Sequence, residues 1–406
     1  MRTRVTIIGA GPAGSLLAHL LQGAGIDCVL LERRSRDYVL GRIRAGVLEA
    51  GTVGVLRDAD LAGRMDRPRE DGGGDPHDGV GLALDHGRLR IDFADLVDRR
   101  VMLWGQTEVQ RDLYDALEVD GTTFLDRVDE VDLHDLDTDR PRVTFLHDGT
   151  RQQITSDWVI GCDGSHGVSS GHVPDQRVFE HSYPFGWLGI LSETPPVDDE
   201  LVYASHERGF ALCSMRHAML SRYYVQCEAD DRVDDWSDDR FWTELADRLP
   251  DEIAERLVTG PSIEKSITPL RSFVAEPMRH GRLLLAGDAA HVVPPTGAKG
   301  LNLAVSDVVL VAAALRAHYH EGDDDPVDAY SDVALSRVWK AVRFSWWLTT
   351  LTHRFPDRSP FDRRIQAAEF DHLASSRNAR ATFADNYTGL PIPLDDLHAG
   401  RPRVAA

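Results

Sequence analysis

Hydrophobic and polar positions near the N-terminus fall into short apolar runs separated by a helical repeat. Val5-Thr6-Ile7-Ile8 is a β-branched run that ends at Gly9. Residues 12–23 carry Leu16, Leu17, Leu20 and Leu21 on one side, and Cys28-Val29-Leu30-Leu31 is a second apolar run. Strand, helix and strand in this order predict a βαβ unit, the start of an α/β fold with a parallel sheet. Trp158-Val159-Ile160-Gly161 and Leu283-Leu284-Leu285-Ala286 read as two more buried strands, each followed by a Gly-rich turn. From 179 to 230 the pattern changes. Leu201-Val202-Tyr203 and Arg222-Tyr223-Tyr224-Val225 are aromatic and β-branched, and turn residues separate them, which predicts an antiparallel sheet. Ser237 precedes an amphipathic helix through Phe241, Trp242, Leu245 and Leu249, another helix is expected over 301–318, and the remainder reads as helical. Residues 66–78, rich in Gly and Asp, read as a mobile surface loop.

Composition narrows the classes. A chain of 406 residues allows two or three domains at ~150 residues each. With 45 Lys and Arg against 66 Asp and Glu, the formal charge is −21, which argues against nucleic acid and anionic membrane as partners. Lysine occurs only at 265, 299 and 340. The four cysteines lack any C-x-x-C pair, so neither a disulfide scaffold nor a metal site is expected. No unbroken run of 18 apolar residues and no leader pattern is found, so the expectation is a cytoplasmic protein with no membrane span. The charge is uneven: residues 1–45 hold seven Arg against Asp27, Glu32 and Asp37, a local +4.

Three motifs carry chemistry. Gly9-Ala10-Gly11-Pro12-Ala13-Gly14 is a G-x-G-x-x-G between strand and helix, whose glycines let a pyrophosphate reach the backbone at a helix N-terminus. Glu32, at the end of the second strand, is placed to accept hydrogen bonds from a ribose diol. Together they predict a dinucleotide site without choosing between FAD and NAD(P). Gly161-Cys162-Asp163-Gly164-Ser165-His166-Gly167 follows one strand, and Gly287-Asp288-Ala289-Ala290-His291 follows another and continues through Pro294-Pro295-Thr296-Gly297-Ala298-Lys299-Gly300-Leu301-Asn302. Asp288 can hold a ribityl chain, and the positive end of the following helix would stabilise negative charge on a reduced flavin ring.

With these motifs in this order the chain resembles the group A (single-component) flavoprotein aromatic hydroxylases, from Thr3 to Pro391. The most specific stretches are Tyr38 to Gly46, Tyr183-Pro184-Phe185-Gly186-Trp187, Arg208 to Ser214 and Asn386-Tyr387-Thr388-Gly389-Leu390-Pro391. The resemblance implies an FAD-binding domain over 1–178, completed by 283–320. It also implies an antiparallel substrate domain over 179–282 and a flavin-contacting segment with C-terminal helices over 283–406. It implies FAD reduction by NADPH, with NADH as the alternative, and hydroxylation of 4-hydroxybenzoate ortho to its phenol with O2. A close analogue such as 4-aminobenzoate or a dihydroxybenzoate, or a flavoprotein oxidase or reductase, are the competing readings.

The resemblance also distributes roles. Arg216 corresponds to the carboxylate clamp, with Ser214 and Tyr224 beside it. Tyr203 corresponds to the partner of the substrate oxygen, Tyr387 to its relay and His77 to a near-surface end of the proton path. The Pro295 carbonyl is aimed at the substrate hydroxyl. Gly9, Gly11, Gly14, Glu32, Arg42, Arg44, Gln106, Asp288, Gly300, Leu301 and Asn302 fall on FAD-contacting positions. Arg222 corresponds to a residue that helps the flavin move. Arg33, Arg34, Tyr38, His166 and Arg271 are linked to the nicotinamide coenzyme, and the arginines favour the extra phosphate of NADPH. Ser170 stands where the family commonly has Arg, which removes one phosphate partner. A homodimer is implied by the family. On spacing alone, Arg216 reads as a surface ion pair and His77 as a solvated loop histidine.

Overall fold

The computed structural model describes residues 1–41, 46–84 and 87–399. The βαβ start is present as strand Val5–Ile8, helix Pro12–Gly23 and strand Cys28–Leu31, with the strands paired in parallel. A six-stranded sheet runs in the order Arg279–His280, Leu283–Leu285, Trp158–Gly161, Val5–Ile8, Cys28–Leu31, Thr123–Leu125. All its pairs are parallel except the 279–280 edge. Both faces are covered, so these runs are apolar at successive rather than alternate positions.

The second sheet has eight strands, in the order His291–Val292, Ser262–Glu276, Arg177–Ser192, Leu220–Glu228, Gly209–His217, Val202–His206, Gly79–Leu84, Gly87–Asp92. It is antiparallel except where Val202–His206 meets Gly79–Leu84. The strands at 79–92 and 291–292 come from outside the 179–282 stretch that the family resemblance implies, so the chain crosses between the sheets more than once. The two-residue strand period divides this sheet into two faces. Trp187, Tyr203, Phe210 and Leu212 pack against Phe344, Leu348, Phe383 and Tyr387 of the C-terminal helices. Ala204, Ala211, Tyr223 and Val225 pack against Phe241, Trp242 and Leu245 of helix Asp238–Ala246. Ser237 Oγ accepts the Arg240 amide at 3.1 Å and starts that helix.

Residues 66–78 are not a free loop. They form a 3-10 turn at Arg69–Asp71 and a strand at Asp75–His77 that pairs with Val101–Leu103. The glycines serve close approach: a Cβ on Gly73 would lie 1.9 Å from the Arg67 carbonyl, and one on Gly74 2.6 Å from Met102 Sδ. The helical stretch Gly300–Glu321 is long and apolar enough to cross a membrane by length and composition, and 72% of its apolar window is buried inside the fold.

The layers meet at a buried carboxylate. Glu49 Oε1 accepts from Lys299 Nζ at 2.6 Å and Oε2 from Arg337 Nη2 at 2.9 Å. Lys299 also donates to the carbonyls of Asn386 at 2.6 Å and Tyr387 at 3.0 Å. Gly389, at φ +104°, closes over the carboxylate, and a Cβ there would stand 2.3 Å from Glu49 Oε2. All three charged side chains are buried. Removing one member leaves the others uncompensated in a dry interior. Glu49→Ala is therefore expected to cost roughly 3–5 kcal/mol of stability, read as a lower urea midpoint. Glu49→Ala combined with Lys299→Met and Arg337→Met recovers part of that loss.

Candidate active site

The first helix, Pro12–Gly23, starts at Gly11 with no side-chain cap. A Cβ at Gly11 would meet nothing within 4 Å, whereas one at Gly14 would lie 1.9 Å from the Gly9 carbonyl. Gly9, at φ +97°, packs against Cys162 in the second glycine motif. Open space at Gly11, crowding behind it and uncapped amides make an anion cradle. Glu32 accepts from the Ala10 amide at 2.9 Å and the Arg34 amide at 2.8 Å, which holds it at the edge of the cradle. Helix Gly300–Arg316 starts at Lys299, also with no side-chain cap, and Gly300 too has no heavy atom within 4 Å of its Cβ position. Asn302 is buried and donates to the carbonyls of Val47 at 3.0 Å and Ala298 at 2.7 Å, while Leu301 is partly buried. Asp288 is exposed on the 3-10 turn Gly287–Ala289, and Gln106 opens helix Gln106–Val119. Two open, uncapped helix starts on one chain fit an extended dinucleotide such as FAD. Arg42 and Arg44 lie outside the described residues.

The substrate-side residues share one face of the eight-stranded sheet because they share register. Ser266, Gly189, Tyr224, Leu212, Tyr203 and Leu82 form one row across six strands. Glu264, Leu191, Arg222 and Ser214 form the next. Arg216 lies beyond Ser214 on the same strand and donates to the Met215 carbonyl at 3.0 Å, while its Nε is buried without a partner. No carboxylate lies within ion-pair distance of it among the described residues. Burial holds its guanidinium below the usual range, opposed in part by attraction to the Tyr224 hydroxyl. Ser214 differs from expectation: its hydroxyl donates to the Arg222 carbonyl at 2.7 Å and is not turned toward Arg216.

Tyr203 donates to the Thr296 carbonyl at 3.0 Å and lies 3.0 Å from the Tyr387 hydroxyl. Tyr387 is stacked between Phe93 at 5.1 Å and Phe383 at 5.6 Å, which orients its ring. Burial pushes Tyr387 up to about 12 and Tyr203 well above the usual phenol range. The Pro295 carbonyl accepts from the Ala298 amide at 2.9 Å, and Tyr203 engages the next carbonyl, that of Thr296. His77 is buried, not near the surface, because its strand turns the ring inward; among the described residues neither ring nitrogen has a hydrogen-bond partner. Asp75 Oδ2 lies 3.5 Å from its Nε2 and 3.2 Å from Arg69, and exposure rises from the imidazole through Asp75 to Arg69. The amide of Phe93 donates to the Asp78 carbonyl at 2.6 Å, which ties the His77 strand to the Tyr387 stack.

The coenzyme-linked residues are mostly at the surface. Arg33, Arg34, Tyr38 and His166 are exposed, and Arg34 lies 5.0 Å from the Tyr38 ring centroid. Arg271 pairs with Glu180 at 3.6 Å. Ser170 donates to Gln176 Oε1 at 2.9 Å.

Several groups escape a sequence reading. Glu49, Arg337 and Glu264 sit far along the chain from their partners and carry no motif. The single signal is the scarcity of lysine, which makes Lys299 in a glycine loop unusual. His291 and Asp307 are buried together at 2.6 Å, and Asp307 also accepts the Gly287 amide at 2.8 Å, bracing the Asp288 turn. His353 is stacked on Phe210 at 4.1 Å and accepts from Trp187 Nε1 at 2.7 Å.

An FAD cradle on a parallel sheet, joined to a cation and a phenol pair on an antiparallel one, defines a flavoprotein of the aromatic hydroxylase class. Residues 2–345 match the family described as FAD binding domain. The chain is 50% identical over 400 residues, 98% of each chain, to p-hydroxybenzoate hydroxylase of Acinetobacter baylyi. It is 27% identical over 81% of its length to 6-hydroxy-3-succinoylpyridine 3-monooxygenase HspB of Pseudomonas putida, covering 84% of that protein. Its fold matches p-nitrophenol 4-monooxygenase PnpA from Pseudomonas putida DLL-E4 with a TM-score of 0.77 at 20% identity, over 96% of this chain and 99% of that one. The chain belongs to the FAD-binding group A flavoprotein aromatic hydroxylases.

His353 makes the site side of the sheet acid-sensitive. Burial, aided by the charge of Arg358, brings its imidazole down to about 3, so it is neutral when folded. In the unfolded chain it takes up a proton near pH 6.5. Its contribution to stability is therefore complete above pH 6.5 and lost as the pH falls from there toward 3, at about 1.4 kcal/mol per pH unit. His353→Gln is expected to flatten the dependence of the urea midpoint on pH between 6.5 and 4.

Proposed function

We propose that the protein is an FAD-dependent monooxygenase that uses NADPH and O2 to convert 4-hydroxybenzoate to 3,4-dihydroxybenzoate (protocatechuate). The observation that carries this reading is the half-buried Arg216 guanidinium, with a buried Nε and no carboxylate partner among the described residues, on the same sheet face as the buried Tyr203–Tyr387 pair. Bound FAD would supply the redox chemistry that couples coenzyme oxidation to ring hydroxylation, with one oxygen atom of O2 going to the ring and the other to water.

The chain's own residues supply binding, orientation and proton control. Gly9, Gly11, Gly14 and Glu32 hold the adenosine diphosphate part. Gln106, Asp288, Gly300, Leu301 and Asn302 hold the flavin part. The uncapped helix start at Gly300 would favour negative charge on a flavin ring held there. Lys299 and Arg337 against Glu49 leave one surplus positive charge nearby, which acts in the same sense.

Arg216 binds the substrate carboxylate through its planar fork. The phenol at the other end must ionise to become electron-rich, which costs about 4 kcal/mol at pH 7 for a group of pKa about 10. Tyr203 lowers that cost by turning its O–H from Thr296 to the phenolate oxygen, and Tyr387 passes the released proton back. The partnerless ring nitrogens of buried His77 are suited to receive it by way of a water molecule, with Asp75 and Arg69 beyond. Exposed Arg33 and Arg34 support recognition of the coenzyme phosphate. The same reading has the enzyme as a cytoplasmic homodimer, and exposed Trp346, Phe361 and Ile365 on the C-terminal helices support that contact.

The test is product analysis on the FAD-loaded protein with 4-hydroxybenzoate and NADPH or NADH. Stoichiometric 3,4-dihydroxybenzoate is expected, and coenzyme oxidation that yields hydrogen peroxide alone overturns the reading. Arg216→Ala should weaken 4-hydroxybenzoate binding by a factor on the order of 10–100, since a charge-assisted clamp is lost. Tyr203→Phe should leave binding within a few-fold and lower the fraction of coenzyme coupled to product.

A further inference from the structure

Two arginines share the substrate-side face, yet they are handled differently. Arg222 Nη1 donates to Glu264 Oε1 at 2.8 Å, and Nη2 to Ser266 Oγ at 3.2 Å. These partners are not on a neighbouring strand. Arg222 lies on Leu220–Glu228 and its partners on Ser262–Glu276, with Arg177–Ser192 between them. The reach is opened by a glycine. Gly189 pairs with Tyr224 on one side and Ser266 on the other. A Cβ on Gly189 would stand 2.6 Å from the Tyr224 ring and 3.3 Å from Arg222 Nη2. The ring and the guanidinium occupy the space that a side chain would fill, and Arg222 Cζ lies 5.2 Å from the Tyr224 ring centroid.

Tyr224 links the two cations: its ring shares the space over Gly189 with Arg222, and its hydroxyl attracts the charges of both Arg216 and Arg222. Arg222 opposes the charge of Arg216, and Glu264 supports it. We infer that Glu264 is a positioning residue: through Arg222, and across Gly189, it cancels one cation and leaves Arg216 to take a carboxylate. It thereby sets how strongly the site selects an anion over a neutral isostere, a statement that rests on the function proposed above. Loss of the Glu264 charge exposes a second cation to the ligand, so anions gain relative to neutral molecules. Glu264 is 34% exposed, so Gln is accommodated there without a buried orphan.

The experiment titrates FAD-loaded protein, without coenzyme, with 4-hydroxybenzoate and with 4-hydroxybenzamide, and follows the flavin absorbance. The quantity read is the ratio of the amide Kd to the carboxylate Kd. Glu264→Gln is expected to raise this ratio about three- to ten-fold, and Arg222→Gln, which strands the Glu264 carboxylate, to lower it. The double variant returns toward the wild-type value. A purely structural role weakens both ligands equally, so an unmoved ratio in Glu264→Gln overturns the inference, as does a double variant that fails to return. A wild-type protein that shows no preference for the carboxylate overturns the proposed function, and the inference with it. Wild-type preference with an unmoved variant ratio overturns the inference alone.

Discussion

Glu49 is buried between Lys299 and Arg337, and much of the site's geometry follows from keeping that carboxylate paired. Low interior polarity strengthens the contacts and makes an unpaired member costly. The constraint draws three distant pieces of chain together. Lys299 begins the helix at Gly300, Arg337 lies in the helix Asp325–Thr352, and the last turn of helix Arg377–Thr388 supplies two carbonyls to the lysine. Fixing these pieces fixes the open helix end on one side and the Tyr387 hydroxyl on the other. Gly389 is required at the closure because its positive φ and the nearby carboxylate leave no room for a side chain.

Interior charge is the second theme, and it runs opposite to the surface. The whole chain carries a formal charge of −21, while its interior is organised by cations that are buried or half-buried. Each is treated separately. Lys299 and Arg337 share Glu49, Arg222 has Glu264, and Arg248 has Glu244. Arg216 has a backbone carbonyl and, among the described residues, no carboxylate within ion-pair distance. In a poorly screened interior, that difference in pairing decides which cation greets an anionic ligand.

Local patterns made part of this legible. The apolar runs at 5–8, 28–31, 158–161 and 283–285 are the strands of the parallel sheet, because strands covered on both faces are apolar throughout. Ser237 starts its helix, because an N-cap is a contact between near neighbours. Other local readings fail for a physical reason. Glycines at 72–74 suggest freedom, yet Gly73 and Gly74 are small because other atoms press against them. His77 looks like a solvated histidine until its strand pairs with Val101–Leu103 and turns the ring inward.

The sequence alone determined the dinucleotide cradle, the α/β layer and the class of chemistry, because each is written in residues that are neighbours along the chain. Only the tertiary structure decided which charges face one another. Glu49 meets Lys299 across 250 positions and Arg337 across 288. Tyr203 meets Tyr387 across 184, and Arg222 meets Glu264 over an intervening strand. Sheet register and helix docking set those meetings, and register depends on the packing of a whole face, which no short segment records.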